Sequence, residues 1–378
     1  MLQQNGLPCG AFQKSKIDVE SGLMNLMNLA ARFTEWGEPK FRLNQAHQAY
    51  YVGLLSSWDD VTTFGKELRD RCAQEFPWDE LRVIRIQESA DGETAKFLLE
   101  AADGSKIETV LMFHEGMRNT VCVSSQVGCA MGCTFCATGT MGWKRHLSAE
   151  EIVNQVVLVS RWLKTREQSI SNVVFMGMGE PLHNYDEVIR AIHILNDQKG
   201  LCIGARKISV STCGVVPGIL RFADEKTQAN LAISLHGATD AVRTKIMPVN
   251  KAYPLDKLMP AVRTYMEKTN RKVMFEYLLL DGINDRPEDA EALADLFGDD
   301  RRLVHVNLIK YHDTQAFKGS STERRLQFLD WLHKLHIPVT HRVTFGEDID
   351  AACGQLAVKE AGEQTLQGQA AITANKRG

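Results

Sequence analysis

Apolar residues recur along this chain with a period that changes several times. In "ESGLMNLMNLAARF" and "NQAHQAYYVGLL" they return at helical spacing, and "TTFGKELRDRCAQEF" places a threonine where it can cap a third helix. The stretch "LRVIRIQESADGETAKFLLEAADGSKIETVLMF" instead alternates apolar and polar residues around the turns ADG and ADGS, which predicts an antiparallel strand pair near Leu81 to Phe113. A small helical unit, residues 1 to about 100, thus hands over to hairpins.

From Val121 onward short β-branched runs alternate with long amphipathic segments. The predicted strands are Val121–Ser125, Val173–Met176, Lys207–Ser211, Leu231–Leu235, Val273–Leu279 and Val304–Ile309. Helices are expected at Ala149–Lys164, Tyr185–Asn196, Leu255–Thr269, Glu288–Leu296 and Thr322–His333. These make six βα units, too few for a closed eight-unit barrel, so an open doubly wound α/β sheet and a partial barrel both fit. Either way the chemistry belongs at the C-terminal ends of the strands. Unusual residues stand there: a cysteine loop after the first strand, then "GMGEP", "STCG", "SLHG", "LLDGIND" and "NLIKYH". A single glycine at a strand end is more often a turn device; the convergence carries the argument.

Composition narrows the picture. A chain of 378 residues that is 44% hydrophobic can bury one large core with a smaller companion. The net charge of −3 supplies no average attraction for nucleic acid, so such a partner has to be held by local patches. No basic leader precedes an apolar run and no segment has the uninterrupted apolar length of a membrane span, which predicts a cytoplasmic chain. The nine cysteines are odd in number and unevenly placed, as suits free thiols rather than a disulfide framework.

"GCAMGCTFCATG" sets Cys129, Cys133 and Cys136 at intervals of four and three residues, with no second CxxC elsewhere. His146 has a workable spacing to complete a zinc site. A cuboidal iron–sulfur centre fits better, because three thiolates hold three irons and leave the fourth open to a ligand. "GMGEP" is neither a dinucleotide fingerprint nor a phosphate loop, and alone it reads as a turn.

The cysteine loop resembles that of radical S-adenosylmethionine enzymes. "VCVSSQVGC", "FMGMGEPLHNYDEV", "SLHGATDAVRTKIMPVN" and "DIDAACGQL" resemble, more narrowly, the family that methylates adenosine 2503 of 23S ribosomal RNA, and "PKFRLNQAHQAYY" resembles that family's accessory domain. The resemblance implies a partial (β/α)6 barrel in residues 101–357, a helical RNA-binding accessory unit in 1–100 with the start of the hairpins, and a polar, flexible tail in 358–378. It implies a [4Fe-4S] cluster on Cys129, Cys133 and Cys136. It also implies S-adenosylmethionine held by Gly179, Glu180, Ser211, Ser234, Leu235, His236 and Asn307, with Gly177 beside them.

By the same resemblance Cys353 carries a methyl group, Cys122 resolves an enzyme–RNA link as a disulfide, and Glu108 removes the C2 proton. Two S-adenosylmethionine molecules are used. Adenosine 37 of transfer RNA is a second expected substrate, an external flavodoxin or ferredoxin the electron donor, and the enzyme a monomer acting before large-subunit assembly is complete. Read alone, Cys122 and Cys353 are more often packing cysteines, and His236 is as often a structural histidine as a ligand contact. Two other readings stay open: a related branch that methylates C8 of the same adenosine and confers antibiotic resistance, and a non-catalytic RNA-binding factor. "MGWKRH", with Trp143 as a stacking platform, and Lys310, His312, Lys318, Arg324 and Arg325 are candidate RNA contacts.

Overall fold

The computed structural model describes residues 26–357 except 117 and 313–315. The expected tail and the first part of the helix expected from Glu20 lie outside the described residues. Three short helices come first, α1 (Leu26–Glu35), α2 (Phe41–His47) and α3 (Lys66–Glu75). They enclose an aromatic core in which Trp58 meets Trp78 edge-on at 4.8 Å and Tyr50 meets Trp78 at 5.4 Å. Asp79 ties this unit to the rest, accepting from Tyr50 Oη (3.2 Å), Asn154 Nδ2 (2.7 Å) and Arg161 Nη1 (2.5 Å).

Strands follow as β1 (Leu81–Glu88), β2 (Thr94–Ala101), β3 (Lys106–His114), β4 (Arg118–Cys122) and β5 (Gln126–Gly128). After the cysteine loop come α4 (Ala137–Thr140), β6 (Trp143–His146), α5 (Ala149–Lys164), β7 (Asn172–Phe175), α6 (Tyr185–Asn196) and β8 (Ile208–Thr212). The chain goes on through α7 (Val216–Asp224), β9 (Asn230–Ser234), α8 (Asp240–Ile246), α9 (Leu255–Thr269) and β10 (Val273–Leu279). It finishes with α10 (Pro287–Phe297), β11 (Val304–Lys310), α11 (Thr322–Lys334) and β12 (Val339–His341).

One ten-stranded sheet has the order β1-β2-β3-β4-β7-β8-β9-β10-β11-β12. Its parallel part advances in chain order without reversal, which excludes a doubly wound sheet. Right-handed crossovers advancing one way put the helices on one face, and the described strands end in two free edges, β1 and β12, not a closed barrel. The expected strand pair is a three-stranded meander, and β4 continues it: β3–β4 is antiparallel and β4–β7 parallel. Residue 100 falls inside β2.

Register assigns the two faces. Val121, Val173, Val210, Ile233, Phe275 and Val306 share the helix-covered face and are fully buried. On the opposite face Cys122 neighbours Val174, then come Ser209 and Ser211, Ser234 beside Glu276, and Asn307 beside Thr340. Alternation along each strand therefore sends hydrophobes to the core and polar groups to the other side.

Candidate active site

The cysteine loop is built on close backbone approaches. Gly128 sits at φ +73°, and a Cβ there would lie 1.9 Å from the Gly142 carbonyl oxygen, to which the Cys129 amide donates at 2.9 Å. The Cys136 amide donates to the Cys133 carbonyl (3.1 Å) and the Thr134 amide to that of Ile246 (3.0 Å), so the loop coils against the end of α8. Cys129, Cys133 and Cys136 thereby line one cavity of ≈ 840 Å³, measured to its open mouth, and all three are free thiols. Burial pushes the Cys129 thiol up to about 12 and raises Cys133 and Cys136 as well. Three soft donors on one wall, each costly to ionise without a cation, suit a thiolate-ligated iron–sulfur cluster. His146 is engaged elsewhere: Gln126 Nε2 lies 3.0 Å from its Nδ1, and its ring packs on Trp143 and His183. His146 also does not line the cavity that Cys129, Cys133 and Cys136 share, so it is not placed there as a fourth ligand.

"GMGEP" forms the next wall. A Cβ on Gly177 would meet the Val123 carbonyl at 2.7 Å and one on Gly179, at φ +100°, would meet Gln126 Cβ at 2.6 Å. These glycines let the loop lie against residues 123–126, as well as facing the cavity. Glu180 follows, 3% exposed, with Oε1 accepting from the Leu182 amide (2.9 Å) and Oε2 from the Cys213 amide (2.8 Å). Burial raises its pKa against those two amides, leaving a carboxylate ready to receive an ammonium group.

Ser211 and Ser234 face each other across 3.4 Å and line the same cavity. His236 has φ +54° and accepts at Nδ1 from the Leu278 amide (3.1 Å), which fixes the proton on Nε2 as a donor. Burial, then the Arg243 charge, pushes its pKa down to about 3, so the ring is neutral. Leu235 contributes backbone only, donating to the Glu276 carbonyl (3.0 Å). Asn307 stands behind the cavity wall, its Nδ2 donating to Glu276 Oε1 (2.9 Å) while its Oδ1 accepts from Thr340 (2.9 Å).

A second cavity of ≈ 710 Å³ adjoins the first and shares Cys136, Met176, Arg342 and Cys353 with it. Cys122 reaches it from the end of β4 and Cys353 from the strap that follows β12. The strap is tied down where it passes: Ala137 N donates to Gly354 O (2.7 Å), Thr138 Oγ1 to Leu356 O (2.6 Å) and Lys96 Nζ to Asp350 O (3.2 Å). Burial pushes the Cys122 thiol up to about 12. Glu108, also 3% exposed, lies on the same face of β3 as Val110 and Met112, which line this cavity, but does not itself line it. Its Oε1 faces Lys96 Nζ at 3.2 Å, and burial still raises its pKa.

Three residues escape sequence reasoning. Arg243, fully buried, donates to the carbonyls of Cys213, Ser234 and Leu235 and to Asn250 Oδ1, tying the ends of β8 and β9 together. Glu276 is a lone carboxylate in the apolar run "VMFEYLLL", a signal that could have been read, and Arg342 Nη1 stands 3.6 Å from its Oε2. Arg342 lines both cavities. Conversely, most of the cations expected to meet RNA after β11 are occupied: Lys310 and His312 pair with Glu347 (2.7 and 3.3 Å), Lys318 with Asp281 (2.8 Å), and Arg325 donates to Ser320 O (2.8 Å). Trp143 stays 45% exposed.

The class follows from this geometry and from comparison with known proteins. Residues 123–297 match the radical SAM superfamily, and a radical SAM methyltransferase from Sphaerobacter thermophilus superposes with a TM-score of 0.85 at 45% identity, covering 88% of this chain and 97% of that one. Proteins named probable dual-specificity RNA methyltransferase RlmN are 49% identical in Geobacillus kaustophilus, over 88% of this chain and 91% of the relative, and 48% identical in Opitutus terrae, over 90% and 95%. The chain belongs to the RlmN family of radical SAM RNA methyltransferases. The superfamily implies a [4Fe-4S] cluster and S-adenosylmethionine, which the thiols and polar wall described above fit. Among the described residues no helix is long and apolar enough to cross a membrane.

Proposed function

We propose that this enzyme methylates C2 of adenosine 2503 in 23S ribosomal RNA, and C2 of adenosine 37 in transfer RNA, through an S-methylated Cys353 and a transient covalent link to the RNA. The observation that supports this reading is that Cys122 and Cys353, which are 231 positions apart in the sequence (353 − 122), line one cavity next to the cluster thiols. Cys129, Cys133 and Cys136 would hold the cluster, with Glu180, Ser211, Ser234 and His236 orienting S-adenosylmethionine and Leu235 and Asn307 supporting the wall. When bound, cluster and S-adenosylmethionine supply a methyl group and one-electron chemistry for abstracting hydrogen.

The chain's own residues then act in order. C2 of adenine lies between two ring nitrogens and is too electron-poor to attack a methyl sulfonium, so the one-carbon unit is delivered from protein sulfur. Cys353 sulfur takes the methyl group from a first S-adenosylmethionine. After a hydrogen atom is withdrawn from that S-methyl group, with a second S-adenosylmethionine consumed, its carbon bonds to C2. Glu108 accepts the C2 proton as the odd-electron adduct gives up one electron to the one-electron chemistry that the bound cluster would supply, a role its raised pKa favours. Cys122 sulfur attacks Cys353 sulfur, the S–C bond breaks, and the released carbon takes up a proton to become the product methyl, leaving a disulfide.

In this reading residues 1–100 position RNA and 101–357 carry out the chemistry. The enzyme acts as a monomer in the cytoplasm, with an external flavodoxin or ferredoxin as electron source. Mass mapping of 23S and transfer RNA after incubation with anaerobically reconstituted enzyme and S-adenosylmethionine tests the proposal. A new methyl on C2 is expected. A methyl on C8 would move the protein to the resistance branch, and unmodified RNA would return it to a binding role.

A further inference from the structure

The meander β1–β3 with β4 has one face on the protein core and one turned the other way. On the core face Phe97, Leu99, Ile107, Leu111 and Val121 are buried, and Trp162 of α5 packs edge-on against Phe97 at 5.5 Å. The register sets the charged residues on the opposite face: Arg82 and Arg85 from β1, Lys96 and Glu100 from β2, Lys106 and Glu108 from β3, and Arg118 from β4. Both carboxylates are already matched, since Glu108 faces Lys96 and Glu100 pairs with Arg82. Arg85, Lys106 and Arg118 remain with no ion pair or hydrogen bond among the described residues, in a chain whose net charge is −3.

This face runs into the active site. Val110, Met112 and Cys122 belong to it and line the cavity that holds Cys353. Arg85 and Arg118 are exposed and Lys106 half-buried, while the strap covers the middle of the face through Asp350 on Lys96. The free cations therefore flank the cavity, where the strands leave the strap.

We infer that the inward face of the β1–β4 meander is a phosphate track, on which Arg85, Lys106 and Arg118 hold the RNA backbone on either side of the nucleotide delivered to Cys122 and Cys353. An extended strand of RNA is the occupant that fits. Its charge is distributed along the backbone, and the register sets Arg85 and Lys106 to one side of the cavity residues Val110, Met112 and Cys122 and Arg118 to the other, while a base that must enter a cavity is most cheaply drawn from single-stranded or loosely folded RNA. The expected contacts beyond β11 serve less well, because their cations are largely paired within the protein. The inference rests on the proposed RNA chemistry and adds where the RNA lies.

The test replaces the three cations together, Arg85→Gln, Lys106→Gln and Arg118→Gln, in the full chain with its cluster reconstituted. Binding of a single-stranded fragment spanning the target adenosine is measured across a salt series, beside methylation of Cys353, which needs no RNA. Each phosphate contact on a single strand contributes about 0.7 to the slope of log affinity against log salt, so the variant should lose about 2 from that slope and at least roughly tenfold in affinity. Methylation of Cys353 should match the parent. A parallel Lys318→Gln/Arg324→Gln variant should keep the parental slope. An unchanged slope in the triple variant would overturn the inference, as would loss of Cys353 methylation, which would put these cations in the cavity chemistry. Failure of the parent to bind any RNA would instead defeat the proposed function.

Discussion

Cys353 and Cys122 should fail differently when each is replaced, because under the proposed function one carries the carbon and the other releases it. Cys353→Ala should give no methylated protein and no RNA adduct, whereas Cys122→Ala should accumulate protein joined to RNA, visible as a shifted band under denaturing conditions. Glu108→Gln should slow resolution by about 10²-fold, the lower end for loss of a general base. Equal behaviour of the two cysteine variants would contradict the assignment. His236 leads to a measurement of stability. Its folded pKa of about 3 lies below the unfolded 6.5, so the unfolded chain takes up the proton first as the pH falls. Its contribution is whole above pH 6.5, declines between 6.5 and about 3, and has fallen by about 2 kcal/mol at pH 5. Denaturant titrations at pH 7 and pH 5 should show that loss in the parent and a smaller one in His236→Asn.

Loops at strand ends hold these residues in place, and they set how much the sequence could disclose. The crossover helices α5, α6 and α9 are long and amphipathic, strongly enough in α9 to outweigh its internal Pro260, and their predicted limits match the structure. By contrast α7 begins "VPG" and α8 has seven residues, too short for a period to declare itself, and β12 has three. The meander was legible as alternation, but its antiparallel-to-parallel switch at β4 was not, because the partner across a strand is fixed by tertiary packing. The cysteine spacing, "GMGEP" and the carrier loop were legible as resemblance. Glu276 was legible only as a lone charge in an apolar run, its partner hidden until the register is known, and Arg342, just past β12, carried no local signal. One loop can be tested directly. Gly179→Ala should cost roughly 1–3 kcal/mol, because the new Cβ would strike Gln126, and should weaken S-adenosylmethionine binding by displacing Glu180. Thermal melting and calorimetric titration with the ligand measure both. A variant of parental stability and affinity would show that the loop yields freely.

Taken whole, the molecule is an open sheet whose helix-covered side holds it together and whose other side lines the two cavities. Under the proposed function a base has to enter the cavity that the buried Cys122 and the exposed Cys353 line, so the target nucleotide must leave its stack, which bears on when modification occurs. Free 23S RNA should be methylated well and the intact large subunit poorly, where the same nucleotide is locked in folded RNA; quantifying the new methyl on each decides it. Efficient modification of intact subunits alone would reverse this order.

The strap that brings Cys353 over the cavity also has a place in time. Thr138 meets Leu356 across 218 residues of chain, so a ribosome making this protein completes the cysteine loop long before it makes the segment that closes over it. During that interval Cys129, Cys133 and Cys136 stand without Cys353 and Gly354, the strap residues that line the same cavity. The finished chain then adds the strap, which brings the exposed Cys353 to the edge that the two cavities share. Under the proposed function, a truncated product that stops short of the strap should keep its cysteine loop and form no link to RNA.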